Sequence, residues 1–261
     1  MLIVVIVGAY IALGLFAFFL ADGVVFQPHP SSYRDDAFVL KLTSRDGAKI
    51  SALYLLNPAA QYTILFSHGN AEDLGDMRPL YDDLRQSGFA VFAYDYQGYG
   101  TSEGKPSEQH AYQDADAAYD YLTGTLHVPP QRVISMGRSL GAAVAIDLAS
   151  RHPVAGLVVQ SGFTTAFRVL TQVPLLPWDK FRNIDTIARV NCPVLVMHGR
   201  KDEVIPFHHG ELLFAAAKEP KKFLWVTNGD HNNLAMFAGR KYFEALREFA
   251  AGLSGSAATA K

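Results

Sequence analysis

With 261 residues, 49% of them hydrophobic, the chain can bury one sizeable core plus an appendage and is short for two domains. A net charge of -2 without any block of like charges excludes nucleic acid as the expected partner. The single cysteine, Cys192, excludes an intrachain disulfide and a cysteine-based metal site, and its place before Pro193 suits a small packing residue.

Residues 2–21 carry no charge, and thirteen of them are Leu, Ile, Val or Phe. A helix of that length would span about 30 Å of hydrocarbon, and its insertion would be favourable. The expectation is an uncleaved single-pass N-terminal transmembrane anchor over 1–22. The side of the membrane is left open, because only Arg34 and Lys41 follow nearby. A cleaved signal peptide fits less well: no Lys or Arg precedes the run, and bulky Phe19 stands where a small residue is expected. Gly8 and Gly14 do not form a dimerisation face. Pro28 and Pro30 mark 23–36 as a linker.

The domain is expected over 37–253. Strands at 38–42 and 49–56 flank a Ser44-Arg45-Asp46-Gly47 turn, a predicted hairpin. A short apolar strand at 63–67 is followed by a helix at 76–86 and a strand at 89–94. Ser107 caps a helix running to about 122. Strands at 133–136, 156–160, 193–197 and 223–226 then alternate with helices at 140–149, 207–218 and 234–251. Residues 254–261 are small and polar and are expected to be disordered. Strands alternating with helices imply an α/β fold, a mostly parallel sheet covered on both faces. In such sheets the site lies beyond the carboxyl ends of the strands.

The apolar run 133–136 ends in Gly137-Arg138-Ser139-Leu140-Gly141, a Gly-x-Ser-x-Gly sequence followed by a helix rich in alanine. This is the sequence form of a strand–turn–helix that exposes a serine hydroxyl. Serine is a poor nucleophile near neutral pH and needs a base, which in turn needs a carboxylate to fix its tautomer. Asp202, after the strand at 193–197, is the expected acid, with Glu203 its nearest competitor. His231, after the strand at 223–226, is the expected base. His208 and His209 follow Pro206 as the start of a helix, and His198 ends a strand as a structural residue. The backbone N–H groups of Asn70 and Leu140 are the expected oxyanion donors. His68 is assigned to bracing the loop that carries Asn70. The loop 94–100 is expected to be structural, with Tyr96 a candidate wall of an acyl pocket. Between 161 and 192, Leu175, Leu176 and Trp178 form a candidate apolar flap over the acyl site. No metal-ligand spacing and no phosphate-cradling loop occurs, so no cofactor and no metal is expected.

Several stretches together carry a resemblance. They are His68-Gly69-Asn70-Ala71-Glu72-Asp73-Leu74-Gly75, Tyr94-Asp95-Tyr96-Gln97-Gly98-Tyr99-Gly100, Gly104-Lys105-Pro106-Ser107-Glu108, the Ser139 turn, and His198-Gly199-Arg200-Lys201-Asp202-Glu203-Val204-Ile205. Over about 38–253 the chain resembles the alpha/beta-hydrolase superfamily. It is closest to the membrane-associated alpha/beta-hydrolase-domain subfamily that includes protein depalmitoylases. The resemblance implies an alpha/beta-hydrolase fold with a small or absent cap, a Ser139–His231–Asp202 triad, and hydrolysis of acyl esters or thioesters, with a lipid or lipidated protein as the partner. Two departures stand out. Asn233 replaces the acidic residue usual after the histidine, and the N-terminus holds a hydrophobic run where the depalmitoylases have cysteines. The alternatives are a serine peptidase or acyltransferase on the same fold, or a catalytically silent membrane-tethered scaffold. The rate is expected to rise with pH through the ordinary histidine range, near about 6.5. Oligomeric state is left open.

Overall fold

The expected alternation of strands and helices is present. The computed structural model describes residues 1–19, 21–171 and 175–256. Its strands are β1 (Val39–Thr43), β2 (Lys49–Leu55), β3 (Thr63–Ser67), β4 (Ala90–Tyr94), β5 (Val133–Arg138), β6 (Gly156–Gln160), β7 (Val194–Gly199) and β8 (Lys221–Val226). They form one sheet in the order β1-β2-β4-β3-β5-β6-β7-β8. β1 and β2 make the predicted hairpin, and β2 pairs antiparallel with β4. From β4 to β8 every pairing is parallel.

The helices are α1 (Leu2–Phe19), α2 (Ala21–Val25), α3 (Arg78–Gln86), α4 (Glu108–Asp120), α5 (Leu140–Arg151), α6 (Ala166–Thr171), α7 (Asn183–Ile187), α8 (His208–Ala216), α9 (Leu234–Ala238) and α10 (Arg240–Ser256). Central strands read as continuous apolar runs because both their faces are covered. In β3, Ile64 and Phe66 pack with Tyr81 and Leu84 of α3 and Phe249 of α10, whereas Leu65 faces the layer holding Ala115 of α4 and Val144 of α5. The side chain of Ser107 accepts from the His110 amide at 3.1 Å and so caps α4, as predicted.

The predicted helix at 234–251 is two helices. Gly239 adopts φ +54° between α9 and α10, a value glycine tolerates without strain, so the axis changes there. Of the predicted tail, the part up to Ser256 continues α10, and 257–261 lies outside the described residues.

The transmembrane anchor expected over 1–22 is corrected. Among the described residues no helix is long and apolar enough to cross a membrane. α1 has 18 residues, so it rises about 27 Å, short of the ~30 Å hydrocarbon layer. The chain near its end also meets the domain. Ala17 and Ala21 are buried, and a Cβ built at Gly14 would lie 3.2 Å from the Trp178 ring. An uninterrupted apolar count cannot separate a lipid-facing turn from one that packs against protein.

Candidate active site

Every chemistry-bearing residue expected from the sequence follows the carboxyl end of a strand. Ser139 ends β5 and begins α5 with φ +54° and ψ -118°, a region that costs a non-glycine residue about 1–3 kcal/mol. The turn is held because Ser139 N–H donates to Gln160 O at 2.9 Å. Close packing leaves no room for side chains on either side. A Cβ on Gly137 would fall on the Gly141 carbonyl, and one on Gly141 on the carbonyls of Ser67 and His68.

Asp202 follows β7 and His231 follows β8. His231 Nδ1 lies 2.9 Å from Asp202 Oδ2, and His231 Nε2 lies 2.9 Å from Ser139 Oγ. An ionised carboxylate only accepts, so Nδ1 carries the proton and Nε2 is left to accept from the serine hydroxyl. Burial alone would raise the Asp202 carboxyl. Hydrogen bonds from His198 and His231, the His231 charge and the Ile205 amide outweigh it and hold the group well below the usual carboxylate range. Val204 and Ile205 amides both donate to Asp202 Oδ1, at 3.0 and 2.7 Å. Glu203, the competing acid, is exposed.

The loop after β3 brings the proposed oxyanion donors to the same place. A Cβ on Gly69 would lie 3.5 Å from Ser139 Cβ, so Asn70 sits beside the nucleophile. Gly69 N–H is committed to Glu72 Oε2 at 2.7 Å. His68 Nδ1 lies 2.8 Å from Gly69 O, and Nε2 is 3.4 Å from Asp95 Oδ1, an ion-pair rather than a hydrogen-bond geometry. Tyr96 is fully buried and its hydroxyl donates to His68 O at 2.8 Å, so it braces the loop from beneath. In the flap region Leu175 and Trp178 are 51% and 39% exposed and Leu176 is half-buried, while 172–174 lie outside the described residues. Beside His231 a cavity of about 650 Å³ opens between Val204, Asp230, Asn232 and Phe237. Asn233 closes a local ring with Asp230, accepting from its amide at 2.9 Å and donating to its carboxylate at 2.7 Å.

Arg138 and Glu72, close to this site, were not expected there from the sequence. Arg138 donates to Glu72 in an ion pair whose side chains are only 10% and 16% exposed. The same guanidinium donates to Asn232 Oδ1 at 2.9 Å and to His231 O at 3.3 Å. His198 donates from Nε2 to Ile205 O at 2.9 Å, with Asp202 Oδ2 at 3.3 Å. A charge inside the buried strand β5 was the available clue for Arg138. His29, Asp73 and Asp76 bring ligand atoms within 4.8 Å of one another. These are already engaged: His29 with Asp76, and Asp73 with the amides of Ser32, Gly75 and Asp76.

His209, whose ring stacks on His208 and accepts from Thr164, makes the stability of the fold depend on pH. Its Nδ1 accepts from the Thr164 amide at 3.2 Å. Burial, reinforced by the charges of His208, His198 and Arg168 and opposed weakly by Asp202, lowers it to about 4. The folded value lies below the ordinary one, so its stabilising effect is present above about 6.5 and is lost as pH falls toward 4. His209→Gln is expected to reduce the stability lost between about pH 7 and pH 4.5 by about 1–2 kcal/mol, allowing for screening. Urea titrations at the two pH values check this, and equal losses in both proteins would place the acid sensitivity elsewhere.

Comparisons with known proteins agree with the fold. The profile of the family described as "Serine aminopeptidase, S33" matches residues 58–181. Alpha/beta hydrolase domain-containing protein 17B of Xenopus laevis is 41% identical over 213 residues, 80% of this chain and 73% of the relative. The Homo sapiens protein of that name is 38% identical over 224 residues, 84% and 77% of the two chains. The Pyrococcus furiosus esterase Pf2001 superposes with a TM-score of 0.72 over 85% of this chain and 97% of its own, at 20% identity, a likeness of fold.

Proposed function

The chain belongs to the alpha/beta hydrolase domain-containing protein 17 family and is a serine hydrolase of the esterase and thioesterase type; we propose that it cleaves acyl esters or thioesters through an acyl-enzyme on Ser139. The observation that carries this reading is the unbroken hydrogen-bonded chain from Ser139 through His231 to Asp202, with both links at 2.9 Å.

In this reading Ser139 Oγ attacks the acyl carbon while His231 Nε2 takes its proton. Asp202 holds the ring and stabilises the imidazolium. The amides of Asn70 and Leu140 donate to the oxygen as it becomes negative. Asn70 N–H suits the role because it makes no other hydrogen bond among the described residues, and Leu140 N–H lies at the first position of α5, where no intrahelical acceptor exists. His231 then returns the proton to the leaving alcohol or thiol. Water, activated by the same ring, completes the second half, and no cofactor takes part. Leu175, Leu176 and Trp178 offer apolar surface for the acyl chain in this reading, which suits a lipid or lipidated protein as substrate.

Rapid-quench mass spectrometry with a p-nitrophenyl ester tests the proposal. The Ser139 peptide is expected to gain the mass of the acyl group during turnover. Turnover without an adduct or a burst would sink the acyl-enzyme, and cleavage of aminoacyl amides in preference to esters would make the chain a peptidase.

A further inference from the structure

Residues 23–36 read as a linker, yet the segment 22–33 lies against the loops that carry the proposed site. Asp22 pairs with Lys180 Nζ at 2.9 Å, Ser32 N–H donates to Asp73 at 2.7 Å, and the Tyr33 hydroxyl donates to Asp95 at 2.5 Å. Between these anchors the chain is gripped by the Asn70 side chain. Asn70 Oδ1 accepts from Gln27 N–H at 2.9 Å and from the Tyr99 hydroxyl at 2.6 Å, and Nδ2 donates to Val25 O at 2.8 Å. A carboxamide carries the same donor and acceptor as a peptide group. It therefore pairs with the backbone on both sides of Phe26, as a facing strand residue would.

Phe26 is fixed by that grip. It is 3% exposed, its ring centroid is 5.9 Å from that of Phe181, and it belongs to the buried cluster that contains Phe163 and Leu140. Asn70 and Leu140 supply the two proposed oxyanion amides. Phe26 is thus fastened to one and shares an apolar cluster with the other. Phe181 and Trp178 come from the crossover segment that carries the flap.

We infer that Phe26 determines acyl-chain specificity: its ring closes the acyl side of the Ser139 site, and its volume limits the chain that fits. The inference rests on Ser139 as the nucleophile. Activity toward long chains then depends on a residue outside the sheet, supplied by the segment that joins α2 to β1.

Phosphonylation of the full chain by alkyl fluorophosphonates tests this. Ser139 Oγ bonds to phosphorus, the P–F bond breaks, fluoride leaves and the proton passes to His231. First-order labelling constants are measured with an ethyl and a hexadecyl probe for the native protein, Phe26→Ala, Phe26→Leu and Phe26→Trp. The folded fraction scales both constants alike and cancels in their ratio, so partial unfolding of a variant leaves the ratio readable. Phe26→Ala is expected to raise the hexadecyl-to-ethyl ratio roughly tenfold, Phe26→Leu to raise it less, and Phe26→Trp to lower it. A ratio unchanged across the set, with the native protein labelled, overturns this inference alone. No labelling of the native protein by either probe overturns the Ser139 reading along with it.

Discussion

Ser139→Ala and His231→Ala are each expected to lower kcat on short acyl esters by a factor on the order of 10⁶, with KM changed only a few-fold. In the proposed mechanism the two groups act as one unit, because among the described residues the Ser139 hydroxyl proton has one acceptor, His231 Nε2 at 2.9 Å. The double variant should therefore be no worse than either single one. Asp202→Asn should cost about 10⁴ for a different reason. The new amide would offer a donor where His231 Nδ1–H now donates, turning the ring toward the tautomer that carries its proton on Nε2. His198 cannot stand in as the base, since it is fully buried and its Nε2 is committed to Ile205 O. Steady-state kinetics with an active-site titration check these values. A His231→Ala protein retaining more than about 1% of kcat would remove histidine from the mechanism.

Glu72→Ala is expected to destabilise the protein by about 3–5 kcal/mol, a fall in Tm on the order of 10 °C. The loss is large because Arg138 would stay buried with its charge uncompensated, and Gly69 N–H would lose its acceptor. Arg138 also holds the His231 loop through His231 O and Asn232 Oδ1. The pair is thus a strut between the oxyanion loop, the serine turn and the histidine loop. Joint replacement by apolar residues, Glu72→Leu with Arg138→Met, separates the two roles. Stability should largely return, since buried ion pairs are replaceable by packed apolar groups, whereas kcat should stay about tenfold low because the loops lose their common tie. Thermal melts and kcat on the same samples decide. Glu72→Ala melting within about 2 °C of the native protein would mean the charge is already solvated.

The parts of the fold written in local pattern were legible. The apolar run of β5, the glycines flanking Ser139 and the alanines of α5 announce a strand–turn–helix because each is required by close backbone approach at that point. That Asp202 and His231 follow strands was legible, since parallel sheets put chemistry at carboxyl ends. What stayed hidden depends on distant partners. Arg138 occupies a variable place in the serine turn, and nothing local shows Glu72, 66 positions away, beside it. Phe26 follows an apolar run and precedes two prolines, so its neighbourhood reads as a spacer, although Asn70 grips it from 43 and 45 positions away. The N-terminal run misled for the same reason: hydropathy counts apolar residues without saying whether protein or lipid covers them. Gly239 broke the last helix because periodicity continues across a positive φ that only the backbone reveals.

The order of the strands also governs when the molecule acquires reactivity during synthesis. Ser139 and His231 are 92 positions apart, and His231 follows β8, the last strand of the sheet. A ribosome that has delivered β5 and α5 has made the nucleophile turn, but neither the acid nor the base. On the proposed mechanism the nascent serine is inert toward ester groups until β8 is made, and chemistry begins only when the sheet's final edge is in place. A product cut short before β8 would carry Ser139 without its histidine. It would also leave β7, buried along its whole length, as an open edge, a template for association with other chains.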